Sequence, residues 1–222
     1  MTPREPGQLT AALLALTFAT GIVDAASFLG LGQVFAAMQT GNVIFLGLGI
    51  ADAADAPVVA PLIALLAFLA GGALAALLVG RHASRAVSLG VAAECGLLLA
   101  ATVLAATADP DPGTGTAYLT IVALSLAMGL RNTLARRLGG ENLATTVLNL
   151  TLAALTTPVP GLASREDLTQ RTAGFLAILL GAVTGALLLK TSLALALAAA
   201  ATITLAAGLM QLRARAVEVS PA

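Results

Sequence analysis

Long apolar stretches separated by short polar breaks cover most of the chain. In order, they form eight segments, at residues 8–29, 33–51, 57–80, 87–107, 117–135, 143–157, 172–189 and 192–212. Uninterrupted apolar stretches of about 18 residues or more are typical of membrane-spanning helices. The pattern therefore predicts an all-α, polytopic helical membrane protein.

The overall composition supports this class and excludes others. Hydrophobic residues make up 59% of the chain and charged residues 10%, which is too apolar for an ordinary soluble domain. The net charge is zero, so there is no general attraction to nucleic acid. Cys95 is the single cysteine, and neither it nor His82 has neighbours at metal-ligand spacing. We expect a lipid bilayer as the partner, most simply the plasma (inner) membrane of a bacterium, and neither metal nor cofactor.

Two of the eight segments differ from ordinary spans. Segments 33–51 and 143–157 are short or interrupted by glycine, carry hydroxyl and amide side chains, and follow glycine breaks at 30/32 and 139/140. If all eight segments crossed the membrane, the basic residues would be divided almost evenly between its two sides. If these two segments instead return to the side they entered from, only Lys190 lies outside. The cytoplasmic side then holds Arg4, Arg81, Arg85, Arg131, Arg136, Arg137, Arg165, Arg171, Arg213 and Arg215.

Cytoplasmic loops are enriched in arginine and lysine, so charge favours the second arrangement. It predicts six crossings and two re-entrant or broken segments, with both termini in the cytoplasm. The polar loop 108–116 would then link two halves, 8–107 and 117–212, of a single membrane domain over 1–222. Each half crosses three times, so the second half enters from the opposite side. An inverted repeat of this kind is common among secondary transporters. It pairs Gly21 with Gly129 and Asp24 with Asn132.

Specific motifs accompany this pattern. They are Gly21-Ile-Val-Asp24-Ala, Phe35-Ala-Ala-Met-Gln-Thr-Gly-Asn42 and Ala127-Met-Gly-Leu-Arg-Asn132. Together they resemble the YoaK family, bacterial inner-membrane proteins built from a domain of unknown function. The likeness covers nearly the whole chain. It implies a multi-span membrane protein of about this size, and it implies no particular activity, substrate or catalytic residue.

Asp24 is the first candidate site residue, because an ionisable group within a span is costly and usually faces the bundle interior or a wet cavity. Two roles stay open for it. Asp24 could couple to a proton or ion, or contact a solute. Alternatively, it could hydrogen-bond to the interrupted backbone of segment 33–51.

Polar residues around the two broken segments complete the candidate solute site. Broken helices leave backbone groups that need partners, and a helix N-terminus favours an anion. The simpler alternative is that these side chains only bond between packed helices. The set comprises Asp24, Gln39, Thr40, Gly41, Asn42, Asn132, Thr145, Thr146, Asn149 and Thr151.

Two charged residues in the predicted spans receive separate interpretations. Glu94 could relay protons and so share a coupling role with Asp24. The preferred interpretation is that it pairs with Arg81 or Arg85 near the membrane interface. Arg131 is interpreted as a topological anchor or a contact for lipid head groups.

The leading functional hypothesis is a small secondary transporter or permease that binds a small polar or anionic solute between the two broken segments. The alternative is a membrane scaffold or assembly partner that transports nothing. We expect no enzymatic activity, because no His/Cys/Asp constellation or paired carboxylates occur on one segment. Small residues around Gly71 and Gly181 suit tight helix packing, either within the chain or in a homodimer.

Overall fold

Helices make up nearly all of the described chain. The computed structural model describes residues 6–53, 55–81, 85–137 and 165–219, and no strand occurs among them. The helices are α1 (Pro6–Gly30), α2 (Gln39–Ile50), α3 (Val59–Arg81), α4 (Ala86–Ala108), α5 (Gly115–Arg137), α6 (Arg165–Leu189) and α7 (Leu193–Val219). The prediction of an all-α membrane protein is confirmed.

Six of these helices are long and apolar enough to cross a membrane. The candidate spans are Thr10–Gly30, Val59–Arg81, Ala86–Ala108, Gly115–Arg136, Thr172–Leu189 and Leu193–Arg213. Helix α2 has 12 residues, about 18 Å of helix against a hydrocarbon core about 30 Å thick. It is therefore too short to cross. The other predicted broken segment, 143–157, lies outside the described residues.

Helix α1 ends, and helix α3 begins, at the same end of the bundle. Leu31 after α1 and Ala60 in the first turn of α3 belong to one buried cluster, together with Ala105, Ala117 and Leu193. We call this the loop end, because the connections 31–38 and 109–114 lie there. At the opposite end, Ala75 of α3 packs with Ala86, Leu130 and Leu134. The chain between α1 and α3 thus begins and ends at the loop end.

The central helices α1 and α5 pack on different sets of helices. Helix α1 packs on α6 and α7, whereas α5 packs on α3 and α4. Glycines allow two of these contacts to be very close. A Cβ atom on Gly21 would collide with the carbonyl oxygen of Ile178, and one on Gly129 would collide with that of Phe68. Contacts this close require residues without side chains and are typical of membrane helices.

Large apolar side chains cover the outward faces of the outer helices. Leu66 and Leu69 on α3, and Leu180 and Leu187 on α6, are all exposed. Such a continuous apolar exterior suits lipid rather than water.

Candidate functional site

The chain breaks sharply after α1. Gly32 and Gln33 both have positive φ, at 99° and 56°, a conformation that glycine adopts readily and other residues rarely. Residues 31–38 then run without regular structure to the start of α2. We call them the 31–38 loop. The predicted apolar segment 33–51 is therefore part loop and part helix, because side chains from α1 and α2 bind its backbone.

Asp24 holds this loop from the α1 side. Its Oδ1 accepts a hydrogen bond of 2.7 Å from the backbone N–H of Ala37, and the N–H groups of Ala36 and Met38 also interact with the carboxyl group. Asp24 is buried, and its Oδ2 atom has no hydrogen-bond partner among the described residues. The structural role expected for Asp24 is thus observed, although one carboxyl oxygen is left without a partner.

Asn42 holds the same loop from the α2 side. Its Oδ1 accepts from the backbone N–H of Phe35 at 2.9 Å, and its Nδ2 donates to the Phe35 carbonyl at 2.7 Å. Nδ2 also donates to Gln39 Oε1, and Gln39 in turn donates to the Ala36 carbonyl. Asn42 is buried, and these bonds use both of its donor hydrogens. The two amides therefore shape the loop.

Aromatic rings pack around these hydrogen bonds. The Phe28 and Phe35 rings stack with centroids 4.9 Å apart, and Phe45 lies against both. A Cβ atom on Gly41 would come within 2.7 Å of the Phe35 ring, so the absence of a side chain at 41 lets the loop lie on α2. Thr40 is exposed.

A second polar group lies deeper in the bundle, centred on Arg131. Its guanidinium donates to Glu94 Oε1, to the Leu16 carbonyl at 3.0 Å, to Thr20 Oγ1 at 2.9 Å and to Thr204 Oγ1 at 2.8 Å. All three guanidinium nitrogens are thus engaged. We call these five residues the Arg131 cluster. It joins α1, α4, α5 and α7, and so connects both halves of the chain.

The Arg131 cluster corrects two interpretations made from the sequence. Glu94 pairs with Arg131, and not with Arg81 or Arg85. Arg131 is no interfacial anchor, because its side chain is only 10% exposed. Both expectations placed each charge at the nearest interface along its own helix. In the structure, Glu94 and Arg131 instead form an ion pair between helices, so neither charge is buried without a partner.

The remaining predicted site residues lie elsewhere. Asn132 is half-buried, and its Oδ1 accepts a long hydrogen bond of 3.5 Å from Arg136 on the same helix. It makes no hydrogen bond to the 31–38 loop. Thr145, Thr146, Asn149 and Thr151 lie outside the described residues. The structure thus brings together Asp24, Gln39, Gly41 and Asn42 from the predicted set.

Sequence reasoning did not identify Thr20 and Thr204, and it assigned Arg131 to the wrong environment. A signal for Arg131 was present, since the residue falls within the predicted span 117–135, where ionisable residues usually face the bundle interior. The two threonines had no such signal, because hydroxyl side chains are common in membrane helices and can bond to their own backbone.

The two polar groups differ in what they could do chemically. In the Arg131 cluster the guanidinium nitrogens already bind protein groups, so a solute would have to displace one of them. Asp24 has a buried carboxyl oxygen that can still accept a proton or a hydrogen bond. No group of three or more His, Cys, Asp or Glu residues suited to a metal ion occurs in the described ranges.

Comparison with known proteins places the chain in a family. A family described as "Protein of unknown function (DUF1275)" matches residues 12–210. The UPF0700 transmembrane protein YoaK of Bacillus subtilis (strain 168) is 35% identical over 153 residues, which cover 67% of this chain and 65% of that protein. No solved structure matches. The resemblance inferred from the motifs is confirmed, and the chain belongs to the DUF1275 family, an assignment that its identity to the transmembrane protein YoaK supports.

Proposed function

We propose that this protein is a non-enzymatic secondary transporter or permease for a small polar or anionic solute, and that Asp24 lies at its site. The observation that carries the proposal is the buried, half-satisfied carboxyl group of Asp24, which sits within a span against an irregular loop. An ionisable residue within a span is by default a candidate for an ion or substrate pathway.

The pattern of helix packing supports an inverted repeat. If α1, α3 and α4 correspond to α5, α6 and α7, the contact of α1 with α6 corresponds to that of α5 with α3. The contact of α1 with α7 likewise corresponds to that of α5 with α4. All four contacts occur. The predicted repeat pairs Gly21 with Gly129. The close approach at Gly21 belongs to the contact of α1 with α6, and that at Gly129 belongs to the corresponding contact of α5 with α3. Inverted repeats of this kind are typical of secondary transporters.

In this proposal both termini lie in the cytoplasm of a bacterial cell, and the loop end faces outward. The solute would approach Asp24 past the 31–38 loop, with Thr40 exposed beside it. Asn42 and Gln39 would position that loop, since their polar atoms bind its backbone. From the second half, Thr145, Thr146, Asn149 and Thr151 of segment 143–157 stay predicted contributors.

The test is electrical recording from reconstituted protein on a solid-supported membrane. Concentration jumps would cover four solute classes, namely inorganic anions, monocarboxylates, dicarboxylates and zwitterionic amino acids. We expect one class to give a saturable current, and Asp24→Asn to abolish it. The matched control is Asp52→Asn, the same change at an exposed loop position, and it should leave the current unchanged. If Asp24→Asn kept the full current, the proposed site would be wrong.

The second candidate is a membrane scaffold without transport. One observation favours it: Asn42 and Arg131 form their hydrogen bonds with protein groups. A scaffold would give no saturable current for any of the four solute classes. It would also be expected to co-purify with a defined membrane partner, or as a homodimer, from mild detergent.

A further inference from the structure

The described part of the bundle buries more negative than positive charge. Asp24 and Glu94 are both buried, and Arg131 is the cation that lies between them in the interior. Two ionised carboxylates against one guanidinium would leave a net charge of −1 in a medium of low dielectric constant. A buried charge without compensation is very costly, and proteins usually avoid that cost by changing its protonation.

Arg131 lies close to both carboxyl groups but pairs with only one. Leu16, Thr20 and Asp24 are spaced four residues apart, so they follow one face of α1. Arg131 donates to Leu16 and Thr20, which places its guanidinium about one helical turn, roughly 6 Å, from Asp24. The two charges interact at this separation, but the ion pair is made with Glu94.

No other charged residue can supply the missing positive charge from the described surroundings of Asp24. The 31–38 loop has no charged residue, and neither have residues 172–189 of α6 or 193–212 of α7. Lys190, which lies between α6 and α7 at the loop end, is exposed. On α5, the basic residues besides Arg131 are Arg136, which is exposed, and Arg137 at the helix end. Glu94 on α4 has the same sign as Asp24.

A second polar atom without a partner lies at the depth of Asp24. Helices α1 and α5 run antiparallel, and Arg131 is level with residues 16–20 of α1. Ser125 precedes Arg131 by six residues, so it lies about 9 Å nearer the loop end than Arg131 does. Ser125 is therefore level with Asp24. Its Oγ is the other buried side-chain oxygen without a hydrogen-bond partner in the described ranges.

From this charge count and geometry we propose that the buried group Asp24, Glu94 and Arg131 binds one exchangeable proton, and that the proton resides on Asp24. Arg131 and Glu94 form a neutral pair, and the proton neutralises the remaining carboxyl group. The inference deepens the proposed function by naming the proton as its coupling ion. Proton binding is nevertheless measured without any solute, so a failure of either proposal can be told from a failure of the other.

The experiment is infrared spectroscopy of the full chain in lipid nanodiscs at neutral pH, in H₂O and D₂O. A protonated carboxyl group has a carbonyl stretch well separated from the carboxylate bands, and this band shifts in D₂O. We expect one such band in the unaltered protein and its loss in Asp24→Asn. Asp52→Asn is the matched control and should retain the band.

Glu94→Gln gives the sharper result, because it removes a negative charge without touching Asp24. The group then holds one carboxylate and one guanidinium, so Asp24 should release its proton and the band should disappear. Retention of the band in Glu94→Gln would refute the charge-count argument. A band that survives in Asp24→Asn would refute the assignment to Asp24.

The alternative occupant is an alkali-metal ion, which would neutralise the same charge. In that case the band would be absent in sodium or potassium buffer and would appear when choline replaced both ions. That result would overturn the proton proposal. A band that is equal in sodium, potassium and choline buffers supports it.

Discussion

The Arg131 cluster permits a quantitative prediction of how two substitutions combine. Arg131→Met removes the guanidinium and leaves the Glu94 carboxylate buried without its partner. Breaking a buried ion pair from one side costs about 3–5 kcal/mol. The lost bonds to Leu16, Thr20 and Thr204 add little. The Leu16 carbonyl still accepts from the Thr20 hydroxyl, and a threonine hydroxyl can bond to its own helix backbone. We therefore expect Arg131→Met to lower the free energy of unfolding by about 3–5 kcal/mol.

Glu94→Leu should cost less, because Asp24 remains about one turn from the guanidinium and can become its counter-charge. We expect a loss of about 2 kcal/mol, below the range for an entirely uncompensated charge. The double variant Glu94→Leu/Arg131→Met removes both charges together, and replacing a buried pair by apolar residues is often close to neutral. Its loss should therefore be smaller than the sum of the two single losses by at least about 2 kcal/mol.

The assay is equilibrium unfolding in detergent micelles, followed by far-ultraviolet circular dichroism, after reversibility has been checked. Arg81→Met is the matched control, since it makes the same change at an exposed position at the end of α3, and it should stay within about 0.5 kcal/mol of the unaltered protein. Single losses that add to the double loss within about 0.5 kcal/mol would show that the two residues do not interact. That result would refute the reasoning.

Three further predictions follow from the contacts described above. Asn42→Ala leaves the N–H and C=O of Phe35 without partners. It should therefore lower the free energy of unfolding by about 2–4 kcal/mol and speed hydrogen exchange in the 31–38 loop. Asn132→Ala is the same change at a residue with one long hydrogen bond, and it should cost under about 1 kcal/mol. Gly129→Ala should cost about 1–3 kcal/mol or more by the same unfolding assay because its Cβ collides with the Phe68 carbonyl, whereas Gly96→Ala, which meets nothing within 4 Å, should be neutral or stabilising. In a Cys95→Ala background, single cysteines at 55 and 112 should be labelled by an impermeant reagent from outside intact cells, and cysteines at 84 and 161 only from inside; internal labelling at 55 would contradict the six-crossing arrangement.

Helix positions were predictable from the sequence because a long apolar segment in a membrane has few possible conformations besides a helix. A helix satisfies its own backbone hydrogen bonds, so six of the apolar segments became one helix each. Four of these helices match their expected ends within two residues, whereas α6 begins seven residues earlier and α7 ends seven residues later than expected. Segment 33–51 was expected to be broken, and its first part is not helical. There a loop replaces the first part of the segment, because Asp24 and Asn42 supply the partners that a helix would otherwise supply. The glycines and polar side chains of the segment indicated that it is interrupted. The groups that bind the loop backbone were harder to predict, because Asp24 lies outside the segment.

The contacts of the charged residues were less predictable, since they depend on which helices become neighbours. From sequence distance, Glu94 is nearer to Arg85 than to Arg131 by almost thirty positions. Helix α4 packs on α5 and α7, however, and that arrangement brings Arg131 to Glu94 and Thr204. No periodicity in the segments indicates this neighbourhood. It follows from glycine contacts that place α5 against α3 and α4, which only the folded chain displays.

The packing of α1 and α5 would also restrict how the two proposed halves, 8–107 and 117–212, could move. Each of these helices packs mainly on the opposite half, through close contacts at Gly21 and Gly129. The halves therefore cannot rock apart as two independent bodies without breaking those contacts and separating Arg131 from Glu94 or from Thr20. A rearrangement that keeps both glycine contacts would move α1 with α6, and α5 with α3. In such a motion the Arg131 cluster would lie where the pair α1 and α6 meets the pair α5 and α3. Asp24 is the next carboxyl group along α1 that Arg131 could reach. Proton binding at Asp24 would then decide whether that position can accept the guanidinium.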